Sequence, residues 1–358
     1  MLAAPYHSAI RRSLHAFPTS PIKNLLAESG LPFLRDNMED STIKLYPRII
    51  LGSNITLQNA LHSTSSRIRS PKIESAIYKC ATFAKTNNLP LKPPKLRKLC
   101  HPPWLISKET FIDNLVRLPK NTTPNAIYIA EFRIVASALK HNSWRFIYTD
   151  GSKNTSTSFT VVSEKGKPIS YGLLFPFCSI FIAEASAIFH AVLHASKNSG
   201  KYVICTDSLS CFQAIQNCNN LTNVINSIRE YLILYQNKIK LMWVPSHTGI
   251  TGNSYADELA RDASNAPTIT VSFFTKSDIY RLINERRHSK LAIDWISYNH
   301  HYAIVNSAKV KPVYPSTIPA NILTPYIRLR IGHTIATHAH LLGSTTTNCC
   351  PFYNDTAT

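Results

Sequence analysis

The sequence predicts an α/β fold built on a mixed five-stranded sheet, in the element order β β β α β α α β α, with helices on its faces and mostly helical or irregular arms on either side. Three observations carry this. Between residues 144 and 265, short apolar runs rich in β-branched and aromatic residues alternate with stretches of helical periodicity. The first three strand signals follow one another with only turn residues between them, whereas the later ones are separated by helices, the pattern of a mixed sheet with helices on its faces. Outside this window the strand signals fade and prolines and basic residues accumulate.

Within the window, RFIYTD (145–150) reads as a strand, and SFTVVSE (158–164) and PISYGLLF (168–175) as two more joined by a turn at 165–168. IAEASAIFHAVLHASK (182–197) reads as a helix ended by Gly200, and KYVICTD (201–207) as a buried strand. LSCFQAIQN (209–217) and LTNVINSIREYLILYQ (221–236) are helices, KIKLMWVP (238–245) is a strand, and NSYADELARDAS (253–264) is the final helix.

The arm over residues 1–143 is mostly helical or irregular. Ser20 and Pro21 mark a helix start and Gly30 and Pro32 its stop, and amphipathic patterns run over 43–60 and 73–85. Residues 88–104, NLPLKPPKLRKLCHPPW, hold too many prolines for a helix or central strand and read as a linker or an extended surface segment. Its cluster Lys92, Lys95, Arg97 and Lys98 suits phosphate contact, nuclear import or plain solvation. The arm over residues 266–358 opens on a strand signal, TITVSFF, followed by a helix near 277–299, a Pro-rich connector near 311–325 and a polar end.

At 358 residues with 44% hydrophobic composition, the chain can bury at least one full core. No apolar run reaches the ~18 residues of a membrane span, and no secretory leader is evident, so an intracellular protein, nuclear or cytoplasmic, is expected. The absence of acidic residues before Glu28, with Arg11, Arg12 and Lys23 present, leaves mitochondrial import as an alternative. The eight cysteines show no framework spacing and read as reduced thiols. The net charge of +19 divides into +12 over residues 1–143, +2 over 144–265 and +5 over 266–358. Basic arms around a nearly neutral middle suit a polyphosphate partner, with nucleic acid held through the arms.

Four acids stand out in the middle segment. Asp150, followed at once by Gly151, and Asp207 each end a strand signal, where ligands of such sheets gather. Glu184 and Asp257 read as first-turn residues of their helices, where unpaired N–H groups favour an anion. Four carboxylates brought together need cations, and magnesium is the hard ion that suits carboxylate and phosphate oxygens. Two such ions, about 3.5–4 Å apart, clamp the attacking and leaving oxygens of a displacement at phosphorus. The chemistry indicated is phosphodiester hydrolysis.

The ordered set TDGS, AEASAI, TDS and WVPSHTGITGNSYADELA resembles the ribonuclease H family, and closely resembles the type 1 ribonuclease H domain at the C-terminus of non-LTR retrotransposon polyproteins. AIRRSLHAFPTSPIKNLLAESGLPFL is similar to the segment that follows the reverse transcriptase in those polyproteins, and RLRIGHTIATHAHLL to the segment after their ribonuclease H domain. The resemblance implies a ribonuclease H-like fold and an endonuclease that cuts the RNA strand of an RNA–DNA hybrid with two Mg2+ ions, Mn2+ being the alternative. It implies that Asp150 bridges both metals, that Glu184 and Asp207 complete one site and Asp257 the other, and that His247 assists proton transfer or product release. The chain then reads as a C-terminal fragment lacking the reverse transcriptase. It leaves oligomeric state open.

Departures from the family pattern are visible. Ser254 stands where relatives carry Glu, which is expected to loosen the start of the last helix. KNTSTSFT follows TDGS in place of a Gly-bearing stretch, and no Lys- and Arg-rich insertion lies between residues 216 and 241, so affinity is expected to rest on the arms. Cys349 and Cys350 fall where relatives begin a zinc module, but Tyr353 replaces the second cysteine of the pair; His333, His338 and His340 are the other candidates. Two further readings stand beside the enzyme: a decayed fragment that binds nucleic acid without cutting, and another nuclease or integrase of the same fold.

Overall fold

The structure is a computed structural model and describes residues 2–65, 75–92, 94, 96–119, 122–154, 156–220, 222–263, 271, 273–298, 302 and 317–332. These group into two compact units, one spanning residues 45–281, the other joining residues 1–44 to residues 282–358. The boundaries expected at 143 and 265 both fall inside the larger unit. The strands are β1 (Phe111–Ile112), β2 (Trp144–Lys153), β3 (Thr157–Ser163), β4 (Pro168–Leu174), β5 (Lys201–Thr206) and β6 (Ile239–Trp243). The helices are α1 (Ala3–Ser13), α2 (Ile22–Ser29), α3 (Leu34–Ile43), α4 (Leu45–Ile50), α5 (Ile55–Ser65), α6 (Ala76–Thr86), α7 (Asn125–His141), α8 (Ile180–Lys197), α9 (Leu209–Gln216), α10 (Asn223–Leu234), α11 (Thr251–Asp262), α12 (Lys276–Ile296) and α13 (Ala320–Ile331).

The larger unit is organised on a mixed sheet in the order β1-β6-β5-β2-β3-β4. β2, β3 and β4 form an antiparallel meander, while β2, β5, β6 and β1 run parallel. The expected α/β class and mixed sheet are observed, but the sheet has six strands rather than five. The extra edge strand, Phe111–Ile112, is two residues long and carries no alternation to read; only its pairing with Leu241 and Met242 defines it.

β2 from Phe146 to Asp150 and β5 from Tyr202 to Thr206 are buried, because helices cover both faces, and so they read as apolar runs. α8 lies on the sheet with Ala183, Ala185, Ala187, Ala191 and Ala195 buried, small side chains that allow a close approach to the strands. It begins two residues before the expected Ile182 and ends at Lys197; Gly200 supplies the left-handed turn, φ +104°, into β5. Thr275 and Asp278 cap the start of α12 reciprocally, the Thr275 N–H donating to Asp278 Oδ2 at 2.8 Å and the Asp278 N–H to Thr275 Oγ1 at 3.2 Å. Asp278 Oδ1 also accepts from the Ser179 N–H at 2.9 Å, which fixes the start of α8.

Other expectations change. The single pattern over 43–60 is two helices, α4 and α5, broken around Gly52. Val271, Phe273 and Phe274, the described part of TITVSFF, are buried but not in a strand. Residues 96–101 of the Pro-rich stretch are not a free linker; they are hydrogen-bonded to α10. Of the connector expected near 311–325, residues 311–316 lie outside the described residues, and 320–325 are the first half of α13, which runs through Pro325.

In the smaller unit, Ile10, Leu25, Leu26, Ile327 and Ile331 form the core, so the two ends of the described chain pack together. α2 is placed as expected, from Pro21 to a left-handed Gly30 with φ 67°. Buried Glu28 accepts from Arg330 Nε at 2.9 Å and from the Tyr302 hydroxyl. Asp40 pairs with Arg287 at 2.6 Å and Asp36 with Lys290 at 2.5 Å.

Candidate active site

Parallel pairing of β2 with β5 runs as far as Thr149 opposite Thr206, and Asp150 and Asp207 are the next residue on each strand. Neighbours in such a register lie about 4.8 Å apart with side chains on one face. Strand register alone therefore sets two carboxylates side by side. Asp207 follows the end of its strand, as expected. Asp150 does not: β2 continues to Lys153, with Asp150 opposite Thr160 of β3. The opening in the sheet is made by β5 stopping.

Glu184 reaches this opening because α8 comes unusually close to β2. A Cβ at Gly151 would stand 2.7 Å from the Glu184 backbone nitrogen and 2.8 Å from Ala183 Cβ, so only glycine permits the approach. α11 is fastened to the other side of β2 and to β3. The Thr160 hydroxyl donates to the Ala256 carbonyl at 2.9 Å and the Ser158 hydroxyl to the Ala260 carbonyl at 2.6 Å, while a Cβ at Gly252 would fall 2.2 Å from the Tyr148 ring. Asp257, one residue beyond Ala256, is thereby held near Asp150.

Glu184 is the fifth residue of α8 and Asp257 the seventh of α11. Both lie in the second turn, where backbone N–H groups are already bonded within the helix. The first-turn stabilisation expected for them is corrected: helix packing on the sheet, not orphan N–H groups, brings them here. α11 also begins at Thr251, ahead of Ser254, and the Ser254 N–H bonds to the Ile250 carbonyl at 3.1 Å.

One carboxylate oxygen each from Asp150, Glu184 and Asp207 lies within 4.8 Å of the other two. Asp150 and Glu184 are buried, at 6% and 8% exposure. Burial first, then the charges of Asp207 and Asp257, push the Asp150 carboxyl up to about 8. Burial and the Asp150 charge raise Glu184 well above the usual carboxylate range, and burial raises Asp207 despite a hydrogen bond from Asn253. Glu184 Oε2 and Asn253 Oδ1 are buried acceptors with no hydrogen-bond partner. Crowded carboxylates, a buried carboxylate oxygen without a partner and raised proton affinity are chemistry that a hard divalent cation would fit.

Asp257 stands outside this triad. Its Oδ2 accepts from Arg261 Nη2 at 2.6 Å. His247 Nδ1 lies 3.9 Å from the same oxygen, beyond hydrogen-bond range, and its side chain is 75% exposed. The His247 backbone is left-handed, φ 56°, ahead of Gly249 at φ 89°, and the Thr248 hydroxyl closes the turn on the Pro245 carbonyl at 3.0 Å. Two contributors escape sequence reasoning. Asn253 Nδ2 donates to Asp207 Oδ2 at 3.2 Å, a contact between distant elements that no local pattern reports. Arg261 stands four residues after Asp257, a spacing that could have signalled the pair.

The six described cysteines, 80, 100, 178, 205, 211 and 218, are free thiols. The zinc candidates Cys349, Cys350, His333, His338 and His340 lie outside the described residues. Among the described residues no helix is long and apolar enough to cross a membrane. No curated protein matches the sequence. Residues 142–265, which hold the whole carboxylate site and five of the six strands in a ribonuclease H-like arrangement, match the family model described as RNase H, and the chain carries an RNase H domain over that segment.

Proposed function

We propose that this chain hydrolyses the RNA strand of RNA–DNA hybrids with divalent cations held by Asp150, Glu184, Asp207 and Asp257, and that it derives from a non-LTR retrotransposon polyprotein. The observation that carries the catalytic reading is the buried triad of Asp150, Glu184 and Asp207, with mutual oxygen separations within 4.8 Å, inside the RNase H match. The retroelement origin rests on the sequence motifs alone. Bound Mg2+, or Mn2+, supplies charge neutralisation and activation of water at the scissile phosphate.

The protein's own groups have distinct parts in this. Asp150, between the Asp207 strand end and the Glu184 helix, is placed to serve both sides of the site. Asn253 orients Asp207, and the Trp243 indole N–H fixes the backbone beneath it by donating to the Asp207 carbonyl at 3.1 Å. Arg261 holds the Asp257 carboxylate by a charge-assisted hydrogen bond of 2.6 Å. His247, exposed beside Asp257, is the residue that assists proton transfer or product release. Selection of RNA comes from 2′-hydroxyls read in the wide minor groove of the hybrid.

The Asp257–Arg261 pair favours a second reading, a domain that binds hybrids without cutting them, because a guanidinium already neutralises the fourth carboxylate. Cleavage of an end-labelled hybrid in Mg2+ by wild type and by Asp207→Asn separates the two. Cutting by wild type alone supports the enzyme; hybrid binding with no wild-type cutting supports the second reading. Equal cutting by both proteins removes the triad from the reaction.

A further inference from the structure

From Ser75 to Lys108 the sequence holds seven Lys or Arg and no acidic residue. The part of this stretch that crosses the larger unit is built into it by a buried carboxylate. Glu230 of α10, 1% exposed, accepts from the Cys100 N–H at 2.9 Å and the His101 N–H at 3.2 Å through Oε2, and meets His101 Nδ1 at 3.0 Å through Oε1. One turn earlier on α10, the Ser227 hydroxyl accepts from the Arg97 N–H at 3.0 Å. The Arg97 guanidinium lies 5.4 Å from the centre of the Tyr231 ring. Five contacts to three positions of one helix, Ser227, Glu230 and Tyr231, make residues 97–101 a fixed strap.

What the strap presents is unusual. Immediately after it, Pro102 and Pro103 lead into a one-turn helix, Pro103–Leu105, packed against α10, and Trp104 within that turn is 74% exposed. An indole left in water on a proline-stiffened turn has given up burial that would stabilise the fold, and it has little backbone entropy left to lose on binding. Around it on the same stretch, Lys92, Arg97, Lys98 and Lys108 are exposed. An exposed aromatic plane on a stretch with exposed lysines at 92, 98 and 108 is complementary to an unpaired base with its phosphates, and not to an apolar peptide.

We propose that the strap is a second nucleic-acid contact, in which Trp104 stacks on a base of a single strand while Lys92, Lys98 and Lys108 face its phosphates. It does not depend on the carboxylate site: it holds whether or not the domain cuts. In a nuclease it would hold the unpaired strand running out of a hybrid.

The test is anisotropy of labelled 12-mers of oligo(dT) and oligo(rU), and of a blunt duplex of the same length, on the full chain in EDTA so that nothing is cleaved. Trp104→Ala is expected to weaken single-strand binding about tenfold or more, the size of one lost base stack, with Trp104→Phe restoring most of it. Lys92→Gln with Lys98→Gln is expected to lower the salt slope by about 0.7 for each phosphate contact removed. Whether oligo(dT) or oligo(rU) loses more identifies which strand is held. Single-strand binding by Trp104→Ala at wild-type strength overturns the proposal, as does an equal loss on the blunt duplex, which offers no unpaired base.

Discussion

Replacing Asp150 by asparagine removes the most crowded charge of the triad without changing its shape, and the consequence for stability follows from the raised proton affinity of that carboxyl. Its pKa moves from 3.8 in the unfolded chain to about 8 in the fold, burial being the largest cause and the charges of Asp207 and Asp257 the next. The folded state therefore binds the more protons, so the group's contribution is fully present below the unfolded value and is lost as pH rises toward about 8. Each pH unit in that window costs the wild type about 1.4 kcal/mol that Asp150→Asn does not lose. Between pH 5 and pH 7 the variant should gain a few kcal/mol on the wild type, on the order of 5–10 °C in melting temperature for a unit of this size. The assay is a pair of melting curves in EDTA at pH 5, 6, 7 and 8. Saturating Mg2+ should raise the wild type and close the gap, because the cation replaces the proton. Melting temperatures that stay parallel from pH 5 to pH 8 would refute the buried, mutually repelling triad.

Gly151→Ala puts a methyl group 2.7 Å from the Glu184 nitrogen, a backbone atom that cannot swing aside. A cost of about 1–3 kcal/mol is expected, with loss of Mn2+ binding by paramagnetic titration exceeding the loss of stability. Gly252→Ala, 2.2 Å from the buried Tyr148 ring, should destabilise by at least as much in chemical denaturation, and a variant as stable as wild type would show that α11 is seated differently. Glu230→Ala leaves two backbone N–H groups without their acceptor and should cost about 2–4 kcal/mol. Hydrogen exchange of residues 97–101 should rise with it while β5 and β2 keep their protection. Burial pushes Glu230 up, but hydrogen bonds from Cys100 and His101 outweigh it and hold the carboxyl low, so the strap's protection should persist above pH 4.5 and fail as pH drops below it.

The class of the fold was legible in the sequence, and so were the candidate acids, three of which the fold brings together, because both signals are local. Strand and helix periods separate cleanly over 144–265, and TDGS, AEASAI, TDS and the stretch ending at Asp257 each mark one segment. Their mutual placement was not local. Asp150 and Asp207 meet through parallel register, a property of two strands 57 positions apart that neither strand encodes by itself. Glu184 arrives because Gly151 lacks a Cβ, a fact that becomes readable only when the helix that needs the space is in place. The same holds for Phe111–Ile112, too short to show a period, and for the proline-rich segment, whose composition excludes helix and strand but is silent on the buried Glu230 that fixes it. Composition and pattern determined which acids the chain offers; burial and register decided which carboxylates stand together, because charge repulsion and desolvation depend on distances that only the packed fold sets.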